Sequence, residues 1–234
     1  AACTILLPVE GESAAIQSAV GEFTIDVDPP CTVRAVQIEP ASLQNQRDEV
    51  TGLLQALDPE GTSTASNQVS LNVLRQLSGA EESKEFQLVQ GPMGITAIHE
   101  GSGIRQAAVA VDLGTTTLVA YLIDFVQGKP VDSISELNAQ KNFGADVISR
   151  IEAASKESLR EKLRTAAVDQ IQRMTVELLH RNGLTPADLT HITVAGNTVM
   201  IHLLAGLDTG GIARSPYIPA AKRLPPVSCR ELGF

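Results

Sequence analysis

The 234-residue chain predicts two units in series: a small α+β unit over residues 13–103, then an α/β half-domain over residues 104–234. Three observations carry this. Ala107–Val111 and Leu118–Ile123 are apolar runs on either side of a short polar turn, the pattern of two buried strands joined as a hairpin. Leu159, Leu163, Ala167, Ile171, Met174 and Leu178 recur in steps of four and three, the stripe of an amphipathic helix laid on that sheet. Ahead of both, two short helical patterns lead into a second hairpin, a mixture typical of an α+β unit.

Taken in order, Thr4–Val9 reads as a strand within a linker over residues 1–12. Gly21–Val27 and Thr32–Glu39 read as strands parted by the breaker Asp28-Pro29-Pro30. Pro40-Ala41-Ser42 opens a helical stretch in which Val50, Leu53, Leu54 and Leu57 share one face, and Asp58-Pro59-Glu60-Gly61 ends it. A second helix over 66–77 turns Val69, Val73, Leu74 and Leu77 inward. Lys84–Gln90 and Gly94–His99 form a hairpin around Gly91-Pro92, and Gly101-Ser102-Gly103 is the hinge to the next unit. The first unit shows no catalytic constellation, and His99 near a strand end reads as a structural histidine.

After the hairpin of residues 107–124, Gly128-Lys129-Pro130 turns into a third strand, Val131–Leu137, completing an antiparallel meander. Asn142-Phe143-Gly144 leads into a helix with Val147, Ile148 and Ile151 on one face. The long helix covers 158–180, with Gly183 as its C′ residue and Thr185-Pro186 starting a turn. His191–Ala195 is a fourth strand. Gly196-Asn197 turns into a helix carrying Val199, Met200, Leu203 and Leu204. The Gly- and Pro-rich tail from Asp208 gives no clear element. The order is β-β-β-α-α-β-α.

The hairpin turn holds Asp112, Gly114, Thr115, Thr116 and Thr117, more chemistry than a chain reversal needs. Glycine lets backbone approach a ligand closely. Hydroxyls and successive N–H groups can line a phosphate. A carboxylate at a strand end can hold Mg²⁺ directly or through water, which makes Asp112 the candidate catalytic and metal-holding residue. The alternative is a tight turn whose Asp and Thr cap loose backbone groups. Gly196, Asn197 and Thr198 open a helix whose free N–H groups make an anion site, or else form an ordinary N-cap. Asp146 and Arg150, four residues apart, read as a solvated pair contributing about 0.2–0.5 kcal/mol. His202 is a core or surface histidine, or a residue of the site.

Asp112-Leu-Gly-Thr-Thr-Thr117 between two apolar strands resembles the first phosphate motif of the acetate and sugar kinase, heat-shock chaperone and actin superfamily of ATPases. Asn138-Ala-Gln140, Asn142-Phe-Gly-Ala-Asp-Val-Ile-Ser-Arg150 and Val194-Ala-Gly-Asn-Thr-Val-Met200 with His202 narrow the likeness to the ATP-dependent reductive activators of corrinoid-dependent enzymes, the RACo type. The resemblance covers about residues 32–206. It implies a ribonuclease-H-like half-domain after the α+β unit, ATP and Mg²⁺ at Asp112 and Gly114–Thr117, and site or partner roles for Asn142, Gly144, Asp146, Arg150 and His202. It implies a corrinoid protein of a methyltransferase system as partner, reduced from Co(II) to Co(I) by an electron from a [2Fe–2S] cluster. Such a cluster belongs to an N-terminal ferredoxin domain, of whose ligands Cys3 resembles the last remnant. No second Asp-x-Gly hairpin follows Gly206, so the chain is expected to be a fragment lacking the ferredoxin domain and the second half of the ATPase, and inactive alone. A small-molecule kinase of the same superfamily and a non-catalytic docking module for a corrinoid protein are the alternatives.

Composition bounds the rest. Hydrophobic residues make up 43% and mean hydropathy is +0.06, which marks a globular chain with enough apolar surface for a core. A net charge of −9 argues against nucleic acid and anionic membrane partners. Three separated cysteines, without a secretion signal, suit a reducing cytoplasm. A homodimer is compatible with all of this.

Overall fold

The computed structural model describes residues 2–6 (backbone only), 28–60, 68–78, 84–125 and 127–234. The strand expected over Gly21–Val27 and the start of the helix expected from Ser66 lie outside the described residues.

In the first unit, β2 (Thr32–Ile38), β3 (Lys84–Gly91) and β4 (Gly94–Glu100) form an antiparallel sheet in that order, β1 being described below. The helices α1 (Glu49–Leu57) and α2 (Leu71–Leu77) cover one face. Both start later than expected, α1 after the opening at Pro40-Ala41-Ser42 and α2 after Val69, because capping chemistry sets the boundary. The Asp48 carboxylate accepts from the Thr51 N–H at 2.9 Å, and the Ser70 hydroxyl accepts from the Val73 N–H. Val69 leaves the helix for a bridge with Ile95. The core is Val36, Ile38, Leu53, Leu57, Val73, Leu77, Phe86, Leu88, Ile95 and Ile98.

The second unit contains β5 (Ala107–Leu113), β6 (Thr117–Asp124), β7 (Lys129–Leu137), α3 (Val147–Ala154), α4 (Glu157–Arg181), β8 (Leu189–Gly196) and α5 (Thr198–Leu204). β5, β6 and β7 form the expected meander, and β8 runs parallel to β5. This is a ribonuclease-H-like half-domain. The expected linker over residues 1–12 needs amending at β1 (Ala2–Leu6). Its backbone pairs with β8 in parallel, Ala2 opposite His191 to Leu6 opposite Ala195, within the sheet order β7-β6-β5-β8-β1-β9. The tail, which showed no pattern, contributes α6 (Gly210–Ala213), the two-residue edge strand β9 (Val227–Ser228) and α7 (Cys229–Leu232). It is held by the Arg164 guanidinium on the Leu232 carbonyl.

α4 lays Leu163, Ala167, Ile171, Met174 and Leu178 into the core, all fully buried. It ends as a Schellman motif: the Leu184 N–H reaches the Leu179 carbonyl, the Gly183 N–H reaches that of His180, and Gly183 takes φ +60°. The two units meet where the Ile104 N–H donates to Gln87 Oε1 at 2.8 Å, and the next residue is tied into the second unit by its own N–H, which Asp188 accepts at 2.8 Å.

Candidate functional site

The residues between β5 and β6 are held from behind. The Gly114 carbonyl accepts from the Asn138 side-chain amide at 2.7 Å. The Thr115 carbonyl accepts from Arg150 Nη2 at 2.8 Å, and the Thr116 carbonyl from the Asn138 backbone N–H at 2.8 Å. A trans peptide points its N–H away from its carbonyl. With successive carbonyls fixed inward, the N–H groups of Thr115 and Thr116 face the other way, and no backbone carbonyl among the described residues accepts from them. Successive outward N–H groups form an anion-binding concavity. Asn138, which makes two of these contacts, is fully buried, and its Oδ1 accepts from the Gln140 N–H.

Gly114 has a different reason from the one its sequence suggests. A Cβ there would lie 2.5 Å from the Thr117 carbonyl oxygen, so the turn's own closure demands glycine, with no ligand needed to explain it. Gly196 is similar. It ends β8 opposite Leu113, and a Cβ would meet the Leu113 carbonyl at 2.9 Å. That close approach brings α5 to the hairpin. Asn197 serves both: its Oδ1 caps α5 through the Met200 N–H at 3.0 Å, and its Nδ2 donates to Thr115 Oγ1 at 3.2 Å. The cap and site readings of this residue are therefore compatible. Thr198 is the first residue of α5, half-buried, and its carbonyl lies 2.7 Å from His202 Nδ1.

Asp112 lies in register with Val119 on β6 and Ala195 on β8, near the mouth between hairpin and α5. The residue is exposed, yet partial burial of the carboxyl pushes its pKa above the ordinary range, and among the described residues no hydrogen bond or neighbouring cation offsets that. A desolvated carboxylate without a cation is suited to receive one. Among the described residues no three His, Cys, Asp or Glu side chains cluster for a metal. A cation here would be held by Asp112 together with water or ligand oxygens, the usual arrangement for Mg²⁺.

The solvated Asp146–Arg150 pair does not form. Asp146 is the N-cap of α3, bonding the Ser149 N–H at 2.8 Å in a reciprocal capping box. Arg150 turns inward and is fully buried. Its Nε donates to the Gly144 carbonyl at 2.9 Å, its Nη2 to Thr115, and its Nη1 faces Met200 Sδ at 3.2 Å and Gln140 Oε1 at 3.5 Å. Ile148, expected on the inner face, is 72% exposed instead. Gly144 is required because a Cβ would sit 2.8 Å from the Arg150 nitrogen. Asn142 is exposed on the 3₁₀ turn of residues 139–143. His202 is fully buried on α5, behind the site rather than in it. Cys3 lies on β1 opposite Ile192.

Asn138 and Gln140 support the turn and Arg150, a role that residue-type reasoning passed over. The signal was a pair of amides directly after a strand, where capping or clamping is their ordinary work. At the far end of β8, His191 is buried against Phe125, and desolvation lowers its pKa to about 4; it faces away from the hairpin turn and has no part in this arrangement.

Residues 107–234 match the protein family described as the RACo middle region. The chain belongs to this family. The word "middle" in that description falls on the second unit rather than on residues 13–103. Within curated proteins, 116 residues are 32% identical to the "Corrinoid activation enzyme RamQ" of Eubacterium limosum, covering 49% of this chain and 19% of that protein. In solved structures, the chain is similar to a "Reductive activator for corrinoid,iron-sulfur protein" with a TM-score of 0.72 and 28% identity, over 94% of this chain and 35% of that one. The chain therefore spans well under half the length of either relative. Among the described residues no helix is long and apolar enough to cross a membrane.

Proposed function

We propose that this chain supplies one wall of the ATP site in a reductive activator of corrinoid proteins. The observation that carries the reading is the hairpin turn whose carbonyls are clamped inward while the N–H groups of Thr115 and Thr116 face outward, beside Asp112 and the Asn197 cap. The family and the titles of both relatives support corrinoid activation as the process. In this reading the Thr115 and Thr116 N–H groups donate to terminal phosphate oxygens. The Thr115 hydroxyl, oriented by Asn197, adds a further donor. Asp112 holds Mg²⁺ directly or through water, and the cation neutralises phosphate charge. Catalysis of phosphoryl transfer is mainly positioning and charge stabilisation, so a second wall is needed for turnover.

The partner is a corrinoid protein whose Co(II) is returned to Co(I). For a one-electron step each 59 mV of unfavourable potential costs a factor of ten, which gives ATP its purpose. ATP does this by favouring one domain arrangement over another. The electron reaches the corrinoid from a [2Fe–2S] cluster that this chain alone does not complete: it has three cysteines and such a cluster takes four thiolates. Of these, Cys31 is buried in the first unit and Cys229 is half-buried at the start of α7.

The test is ATP titration, with and without Mg²⁺, on the protein carrying both walls and on its Asp112→Ala variant. The substitution is expected to weaken Mg²⁺-dependent binding more than tenfold, about 1.4 kcal/mol. ATP-stimulated formation of Co(I), followed by corrinoid absorbance, should fall with it. Equal affinities and unchanged hydrolysis would remove Asp112 from the site. The chain of 234 residues by itself should release no phosphate above background.

A further inference from the structure

We propose that Arg150 is a positioning residue that sets the anion affinity of the Gly114–Thr116 turn, its buried charge acting on a bound phosphate through the Thr115–Thr116 peptide. The inference rests on the phosphate reading above and adds a group that does not touch the ligand.

Arg150 is the largest fully buried side chain among the described residues, and none of their carboxylates forms a salt bridge with it. The nearest acidic influence is Asp146, whose carboxylate is exposed and engaged in capping α3. A guanidinium has five N–H donors. Here two find carbonyls at 2.8 and 2.9 Å, while Nη1 has only a thioether at 3.2 Å and an amide oxygen at 3.5 Å. A buried charge this thinly compensated is costly unless something nearby carries the opposite sign. The acceptor of its 2.8 Å bond is the Thr115 carbonyl, and the same peptide unit carries the Thr116 N–H. Donation to that oxygen polarises the peptide and strengthens the N–H on its far side, as chains of hydrogen bonds do in a low-dielectric interior. An anion at Thr116 N–H thus completes a line from guanidinium to carbonyl to amide to phosphate. It also supplies the negative charge that Arg150 lacks. Gln140 keeps the position filled from one side, its Nε2 bonded to the Leu163 carbonyl, and Met200 brings in α5 from the other.

The experiment uses inorganic tripolyphosphate without Mg²⁺, so that Asp112 and a metal do not enter. Isothermal titration compares the wild-type chain with Arg150→Lys and Arg150→Met. Arg150→Met should bind at least tenfold more weakly, and Arg150→Lys, which keeps the charge, should recover at least threefold of that loss. In ¹⁵N-resolved spectra of the wild type, the Thr115 and Thr116 amides and the Arg150 Nε–H should shift together along the titration. This second measurement stands even where Arg150→Met does not fold. Arg150→Met binding as tightly as wild type overturns the proposal. So does Arg150→Lys binding no better than Arg150→Met, since shape alone would then explain the residue. So do turn amides that shift while the Arg150 Nε–H stays still. In all three cases the phosphate reading survives. Absence of any tripolyphosphate binding by the wild type overturns both.

Discussion

The β3–β4 and β5–β6 hairpins join strands of nearly equal length, seven or eight residues each, but their turns are held differently. Between β3 and β4 the chain reverses at once: Gly91 pairs with Gly94, and Gly94 takes the left-handed φ of +84°. Beside the turn, the Ile95 N–H is taken by the Gln68 backbone carbonyl, which comes from an earlier stretch of the chain. Between β5 and β6 the turn borrows its support from Asn138 and Arg150, on two separate elements 24 and 35 residues further along. Both turns use distant partners, but at the first a neighbouring N–H is taken up, whereas at the second the carbonyls of Gly114, Thr115 and Thr116 are. A turn whose N–H groups must stay outward needs its carbonyls taken by something behind. The difference is one of geometry, outward N–H groups at the second hairpin, which composition alone could not have separated from polar decoration.

The contrast is broken or sharpened first by alanine at each glycine. Gly94→Ala adds a Cβ 2.2 Å from the Gln68 carbonyl at a positive φ, and Gly114→Ala adds one 2.5 Å from the Thr117 carbonyl. Each should lose about 1–3 kcal/mol in urea unfolding, the range for overpacking. Only Gly114→Ala should also weaken tripolyphosphate binding. If Gly94→Ala weakens it equally, the two turns are not different in kind.

A smaller effect is expected at Asn197. Asn197→Ala removes both the cap and the donor to Thr115, for about 1 kcal/mol of stability. Asn197→Asp keeps an acceptor for the Met200 N–H but loses the Nδ2 donor and adds a negative charge facing the anion. It should therefore unfold near wild type in urea and yet bind tripolyphosphate several-fold more weakly. Equal binding by Asn197→Asp would leave this residue as a cap alone.

The smallest effect is a dependence on pH. Burial raises the Asp112 pKa above its ordinary 3.8, so in that window the folded protein holds the proton that the unfolded chain has released. Stability contributed by this group falls as pH rises through the window. Asp112→Asn should therefore unfold at slightly higher urea than wild type at pH 7, with the difference gone below pH 3.8. A variant less stable than wild type at neutral pH would mean that a partner, not burial, governs this carboxylate.

The meander, the α4 stripe and its Gly183 terminus were legible because each depends on periodicity or on a residue with one favoured conformation. The hairpin residues were legible as a set because hydroxyls and a carboxylate between apolar runs are conspicuous. Arg150 was misread for a specific reason. Four residues from Asp146, it matches a surface ion pair, and only its place in the stripe with Val147, Ile151 and Ala154 signals burial. Gly114 was assigned to a ligand when a carbonyl of its own turn already requires it. The late starts of α1 and α2 follow the capping residues Asp48 and Ser70, which the expected openings did not weigh. A strand near β1 was legible in Thr4–Val9, but its pairing was not, since nothing local in Ala2–Leu6 says which strand it will join.

That strand bears on how the chain folds as it is made. β1 emerges roughly 190 residues ahead of its partner β8, a separation that makes the pairing among the most non-local contacts in the molecule. The first unit, complete in its own core by residue 100, can fold while β8 is still unsynthesised. The β5–β7 meander can follow. β1 then has to wait, unpaired, until the chain returns to it, and it closes the sheet from the side opposite to the meander. An insertion order of this kind means that the nascent chain passes through a stage with the edge of β5 exposed on one side and a solitary strand upstream of it, the stage at which pairing with another chain competes with pairing at home.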